Sequence, residues 1–96
     1  MIRRRIINNQ AVFDILNFEL EEDMPEICGR LRMKYPLNVL NKLEGPGTTI
    51  WEIELNQEKM SLVNSSFGNF LRPSNANSER FITNEFDHLS ELLQKG

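Results

Sequence analysis

The 96-residue chain has few of the residues that build covalent or metal-based sites. It contains one cysteine, Cys28, and one histidine, His88. A single cysteine excludes an intrachain disulfide and any zinc site made of several cysteines. No stretch approaches the ~20 apolar residues of a membrane-spanning helix, and the basic start of the chain is not followed by the apolar core of a signal peptide. We therefore expect a cytoplasmic protein with no membrane association, no cofactor and no metal.

An excess of positive charge is also missing. Eleven Lys and Arg residues stand against 14 Asp and Glu residues, which gives a net charge of −3 and a pI near 5.1. Proteins that bind nucleic acids rely on a surplus of basic side chains to neutralise phosphates, so a nucleic-acid partner is not expected. The short basic run Arg3-Arg4-Arg5 would be divided between the two faces of a strand. We interpret it as a charged strand that discourages edge pairing.

The length and composition fit one domain that spans residues 1–96. Hydrophobic residues make up 40% of the chain and aromatic residues 8%, which is enough for a single core. Nearly all of these side chains should be used to fill that core, so little remains to line an internal cavity. Any binding site is therefore expected to be a groove or a flat patch.

Strands are predicted over much of the chain. Residues 49–55 alternate between apolar and polar types, which places Trp51 in the core and leaves Glu52 and Glu54 toward water. Strands are also predicted over residues 2–8, 37–43 and 60–64, with a short edge strand at 67–71, and Gly45-Pro46-Gly47 is the strongest turn signal. Residues 12–20 fit a strand with Val12, Leu16, Phe18 and Leu20 on one face, but a helix through Val12, Ile15, Leu16 and Leu20 remains open.

Two helices are predicted, at about residues 24–34 and 84–94. Asp23 and Glu26 have capping-box spacing, and Tyr35-Pro36 should end the first helix. Thr83 would cap the second helix, although a start at Ser78 is also possible, and residues 74–78 are predicted to be a polar loop. The order β-β-α-β-β-(β)-α predicts an α+β two-layer sandwich, with an antiparallel sheet of four to six strands and both helices on one face.

Cys28 and His88 are the candidates for chemistry. On two helices that pack on one sheet they could form a thiolate–imidazole pair. Cys28, however, lies on an apolar stripe, where a cysteine acts as a small buried hydrophobe, and His88 lies beside its own helix stripe, where it would be solvated. We prefer these structural interpretations and do not predict an enzyme.

Acidic residues are dense between Asp14 and Glu26, but they lack the ligand spacing and central glycine of a calcium loop. A solvated face is one interpretation, and an acidic contact surface for a basic protein is the other. The residues of the hypothetical contact surface are Glu19, Glu21, Glu22, Glu52 and Glu54.

The sequence thus favours a small non-catalytic protein-binding domain of the adaptor, inhibitor or toxin-neutralising type, as among compact acidic bacterial domains. One alternative is a self-associating domain that dimerises through an exposed sheet edge or through residues 67–71. The other alternative is a small enzyme that uses Cys28 or His88.

Overall fold

The computed structural model describes residues 1–94, in which a six-stranded antiparallel sheet is combined with three helices. The strands occur in the spatial order β1-β2-β6-β5-β4-β3, so β1 and β3 form the edges. Their bounds are β1 (Ile2–Ile7), β2 (Gln10–Ile15), β3 (Leu37–Gly45), β4 (Thr48–Leu55), β5 (Glu58–Ser65) and β6 (Gly68–Pro73). The helices are α1 (Met24–Arg32), α2 (Ala76–Asn84) and α3 (Phe86–Leu92), and a 3-10 turn at Glu21–Asp23 precedes α1.

Tight turns determine how neighbouring strands pair. Asn8 and Asn9 have φ angles of 50° and 64°, and Asn56 and Gln57 have φ angles of 52° and 69°. Two successive left-handed residues match the twist of a hairpin, and asparagine tolerates that conformation well. The turn predicted at Gly45-Pro46-Gly47 is confirmed, and it joins β3 to β4.

The core lies between the helices and one face of the sheet. Ile53 and Leu55 of β4 are fully buried there, as the alternation of that strand predicts, and Trp51 is half-buried against the same core. The helices contribute Met24, Ile27, Cys28, Leu31, Ile82 and Leu89 to this core. The prediction of an α+β fold with an antiparallel sheet is therefore confirmed.

The order and the number of elements differ from the prediction. The chain runs β-β-α-β-β-β-β-α-α, with three helices instead of two. Of residues 67–71, predicted to form an edge strand, all but Phe67 belong to β6, which lies inside the sheet between β2 and β5. The pairing of Phe13 with Leu71 brings β2 to β6 from far along the chain, and local sequence patterns carry no signal for such a contact.

The polar segment 74–78 is not the predicted loop, because it contains the start of α2. The Asn75 side chain accepts a hydrogen bond of 2.9 Å from the Ser78 amide, and the Ser78 hydroxyl in turn accepts from the Asn75 amide at 3.2 Å. Two free amide groups of the helix start are satisfied in this way. Thr83 is not an N-cap, since it lies within α2, and Glu85 is the junction between α2 and α3.

The predicted strand at 12–20 is correct only as far as Ile15. Asn17, with a φ of 72°, follows the end of β2, and Phe18 is buried in the loop beyond it. The predicted faces are exchanged: Phe13 and Ile15 point into the core, whereas Val12 lies on the opposite face. Within β2, the larger apolar side chains, Phe13 and Ile15, face the core.

The capping box predicted for α1 is also wrong. The Asp23 carboxylate accepts a hydrogen bond of 3.0 Å from the Leu20 amide and so belongs to the 3-10 turn. Glu26 instead pairs with Arg30 at 3.0 Å, one helical turn further on. The helix still begins at Met24 as predicted, and it ends at Arg32.

Candidate functional site

The five glutamates predicted to form one acidic surface lie on opposite faces of the sheet. Glu52 and Glu54 alternate with the core residues of β4 and therefore point away from the helices. Glu21 accepts a hydrogen bond from the hydroxyl of Thr49, which shares the core-facing side of β4. The sheet therefore separates Glu52 and Glu54 from the loop that carries Glu19, Glu21 and Glu22.

Asn69 of β6 holds that acidic loop in place. Its Nδ2 group donates hydrogen bonds of 2.7 Å to the Phe18 carbonyl and 2.9 Å to the Leu20 carbonyl. The Nδ2 group of Asn64 in β5 donates a hydrogen bond of 3.2 Å to the Glu19 carbonyl and one of 3.1 Å to the Asn69 side-chain oxygen. The loop is thus fixed through its backbone, which sequence reasoning missed because an isolated asparagine within a strand gives no distinctive pattern.

The loop and the neighbouring hairpins surround a depression at one end of the sheet. Its volume is about 510 Å³, and its lining is polar. Glu21 and Glu44 meet there with the hydroxyl-bearing residues Thr49 and Ser65. The depression is a broad polar hollow.

The face of the sheet opposite the helices is left uncovered by the helices of the described chain. Across its middle runs an apolar row, which we call the central row: Phe70, Val63, Ile50 and Leu43. Each residue of this row is the direct cross-strand partner of the next, so the side chains are neighbours. Phe70 and Ile50 are half-buried, and Leu43 is 45% exposed. Val63 between them is only 3% exposed, so the apolar surface that reaches water is formed by Phe70, Ile50 and Leu43.

Charged side chains lie directly beside the central row. Arg72 of β6, Ser61 of β5 and Glu52 of β4 are cross-strand partners in turn, and we call them the charged row. The row carries a cation at one end and an anion at the other. Lys59 and Glu54 form the next pair along β5 and β4. The open face, defined as these two rows with Lys59 and Glu54, is apolar in its middle and has charges of both signs around it.

Asp14 is a buried carboxylate at the β2 side of this face. It is 4% exposed, and it accepts hydrogen bonds of 2.7 and 2.8 Å from Arg5 and one of 3.1 Å from Arg3. Burial alone would raise the pKa of Asp14, but the hydrogen bonds from the two arginines outweigh it and hold the pKa below its usual value of 3.8. Arg3 and Arg5 therefore neutralise a charge within their own hairpin.

Cys28 and His88 are not joined by a hydrogen bond within residues 1–94. Cys28 is buried in the core, and burial raises the pKa of its thiol, only partly offset by the charges of Arg32 and Lys42. A protonated, shielded thiol is a poor nucleophile. The geometry therefore does not assemble the thiolate–imidazole pair considered above.

His88 instead lies beside Glu85, on the exposed flank that its position predicts. Its Nδ1 atom is 3.3 Å from Glu85 Oε1, and its side chain is 53% exposed. The same Glu85 oxygen accepts a hydrogen bond of 2.5 Å from the buried Tyr35 hydroxyl. Burial, and to a lesser extent the hydrogen bond to the Glu85 carboxylate, raises the pKa of Tyr35 far above its usual value. The contact ties the end of α1 to the junction of α2 and α3.

Two other features, a metal-binding cluster and a membrane-spanning helix, are absent from residues 1–94. No group of three or more His, Cys, Asp or Glu side chains in this range is placed to hold a metal ion. None of the helices in the same range combines the length and the hydropathy needed to cross a bilayer.

Comparison of the chain with protein-family models, with curated proteins and with solved structures finds no match.

Proposed function

We propose that this chain is a small non-catalytic protein-binding domain and that the open face of its sheet is the binding surface. The observation that carries the proposal is the apolar central row on a face that no helix of the described chain covers. The solvated face of an antiparallel sheet is normally polar. An apolar middle surrounded by charged side chains is the usual anatomy of a protein-binding surface.

The charges on the open face specify the partner. A complementary surface would place a basic group opposite Glu52 and Glu54 and an acidic group opposite Arg72, with apolar side chains between them. Arg72 forms no ion pair within the described residues, so it is available to such a group. This proposal keeps Glu52 and Glu54 from the predicted acidic surface. It leaves out Glu19, Glu21 and Glu22 because they lie on the other side of the sheet.

The non-catalytic part of the proposal is supported by the separate surroundings of Cys28 and His88. The thiol lies among apolar core residues, and the imidazole lies in water beside Glu85. Within residues 1–94 no hydrogen bond joins the Cys28 thiol to a base, and the His88 imidazole is hydrogen-bonded to Glu85 but to no nucleophilic side chain.

The test compares two matched charge reversals in affinity purification from the cell that makes the protein. One bait carries Glu52→Lys with Glu54→Lys on the open face, and the other carries Glu19→Lys with Glu22→Lys on the helix side. Both change the net charge equally. We expect the first bait to lose the specifically bound protein, because its basic groups would face lysines, and the second bait to retain it.

The opposite result would contradict the proposal. If the Glu19/Glu22 variant loses the bound protein while the Glu52/Glu54 variant retains it, binding occurs at the acidic loop. Urea unfolding of both variants checks that each remains folded, since exposed charge changes of this kind alter stability only slightly.

A further inference from the structure

The open face is complementary to itself. On either side of β5, the central row has Phe70 on β6 and Ile50 on β4, with Val63 between them. In the charged row the same positions are occupied by Arg72 and Glu52, with Ser61 between them. At these three positions each row is matched when β6 of one molecule lies over β4 of another, and Leu43, one strand further out, then lies over the Asp14 position of the second copy.

We infer that the partner of the open face is a second copy of this chain, stacked face to face about a two-fold axis that runs along β5. This inference rests on the function proposed above and names the occupant of the same surface. The rotation places Arg72 opposite Glu52 of the second copy, and Phe70 opposite Ile50 of the second copy. Each of these contacts occurs twice, as a two-fold interface requires. Val63 and Ser61 lie on the axis but are only 3% and 6% exposed, so Phe70, Ile50, Arg72 and Glu52 make the contacts.

The rest of the face is compatible with this arrangement. Lys59 is also on β5, near its end, and would approach its own equivalent. Its cross-strand partner is Glu54, so an opposite charge lies next to it within its own copy. Sheets that pack face to face cross at about −30°, so the axis bisects the directions of the two β5 strands, and the strand ends, including Lys59, lie to either side of it.

The sheet edges are less suited to pairing than the face. The edge strand β1 carries Arg3, Arg4 and Arg5, and charged side chains discourage the addition of a further strand. The other edge, β3, has a bulge between Val39 and Asn41, which interrupts the regular row of backbone groups. These features favour association through the open face over the sheet-edge dimer considered from the sequence.

The size of the face indicates a reversible dimer. Six strands ~4.8 Å apart, with about six residues each rising ~3.3 Å, give roughly 500 Å² of face in projection. A standard interface buries about 800 Å² of accessible surface on each partner. The interface would therefore lie at the lower end of specific complexes, and its dimerisation should depend on concentration.

Sedimentation equilibrium of the purified wild-type chain, from about 1 µM to about 1 mM, tests the inference across the range of weak to moderate affinities. We expect the average mass to rise from 11.2 kDa toward twice that value. Arg72→Glu alone and Glu52→Arg alone should each weaken dimerisation by at least about tenfold, because two like-charged contacts replace two attractive ones. The double variant, with both changes, should return to within about threefold of the wild type.

Recovery in the double variant is the decisive result, because only a partner with the same sequence exchanges its charges at the same time. Glu22→Arg, an equal charge change on the helix side, should leave the dimer unchanged. A constant monomer mass up to about 1 mM, or a double variant as weak as the single ones, would overturn the inference.

The two proposals can fail separately. If the chain stays monomeric but Glu52→Lys with Glu54→Lys still removes a different bound protein, the open face is a binding surface and the second copy is not its occupant. If the chain stays monomeric and that variant removes no bound protein, both proposals fail.

Discussion

Replacement of Asn69 by leucine should destabilise the protein strongly although it preserves the size of the side chain. Asn69 is 2% exposed and donates two hydrogen bonds, to the carbonyls of Phe18 and Leu20. Asn69 also accepts a hydrogen bond of 3.1 Å from Asn64, and leucine can neither donate nor accept, so all three bonds are lost. Each of the three lost hydrogen bonds costs about 1 kcal/mol. We expect the free energy of unfolding to fall by roughly 3 kcal/mol.

Urea unfolding followed by Trp51 fluorescence measures this change, because Trp51 is half-buried against the core beneath the Lys42 ammonium. At a denaturant slope near 1.5 kcal/mol/M, a loss of about 3 kcal/mol lowers the urea midpoint by about 2 M. The melting temperature should fall by about 12–24 °C, since each kcal/mol shifts it by about 4–8 °C in a domain of this size.

The control is Asn77→Leu, which makes the same chemical change at an exposed position in α2. Its effect should stay within about 0.5 kcal/mol. A loss of less than about 0.5 kcal/mol for Asn69→Leu would refute the reasoning, because the loop carbonyls would then be satisfied without Asn69.

Three further predictions concern ionisation, thiol access and backbone conformation. The pKa of Asp14 is lowered in the folded state, so its stabilising effect is present above the unfolded value near 3.8 and is lost as the pH falls through the folded value. The wild type should therefore lose stability in urea titrations below about pH 4, and Asp14→Asn should lose less over the same window. Cys28 should react slowly with a thiol reagent at pH 8 in the native state and rapidly in urea, because it is buried and its pKa is raised; rapid native labelling would contradict this placement. Gly68 has a φ of 94°, so Gly68→Ala should lower the free energy of unfolding by about 1–2 kcal/mol. Gly29→Ala in α1, where the added carbon meets open space, should raise it by roughly 0.5–1 kcal/mol. Unfolding curves of the two glycine variants that shift in the same direction would contradict the conformational argument.

Elements whose signals are local were predictable from the sequence. The alternation over 49–55 identifies β4 and its buried face, and the glycine–proline turn identifies the hairpin before it. The start of α1 at Met24 was also predictable, because acidic residues and Pro25 mark the first turn.

Features that depend on distant contacts were not predictable. The Phe13–Leu71 pairing moves β6 from the edge to the interior, and that placement depends on a partner more than 50 residues away. Hydrogen bonds of Asn69 to the loop belong to the same class. The start of α2 had a local signal, the Asn75–Ser78 capping box, but the four small polar residues around Ala76 outweighed it in a composition-based prediction.

The candidate surface was predictable only in part. Glu52 and Glu54 were identified because β4 alternates, and the structure places both on the open face. The central row was hidden, because Phe70, Val63 and Ile50 come from three strands and each alone resembles an ordinary core residue. The separation of Glu19, Glu21 and Glu22 from that face follows from the path of the loop at one end of the sheet.

The connection between β2 and β6 has a consequence for how the protein assembles. Strands β3 to β6 follow one another through tight turns and can pair as each is added, while β1 and β2 form a separate hairpin. Three cross-strand residue pairs join the β1–β2 hairpin to β6. A long loop must close before these two strands can pair. The four-strand meander should therefore form early, with the amino-terminal hairpin docking late and detaching first when the native state fluctuates.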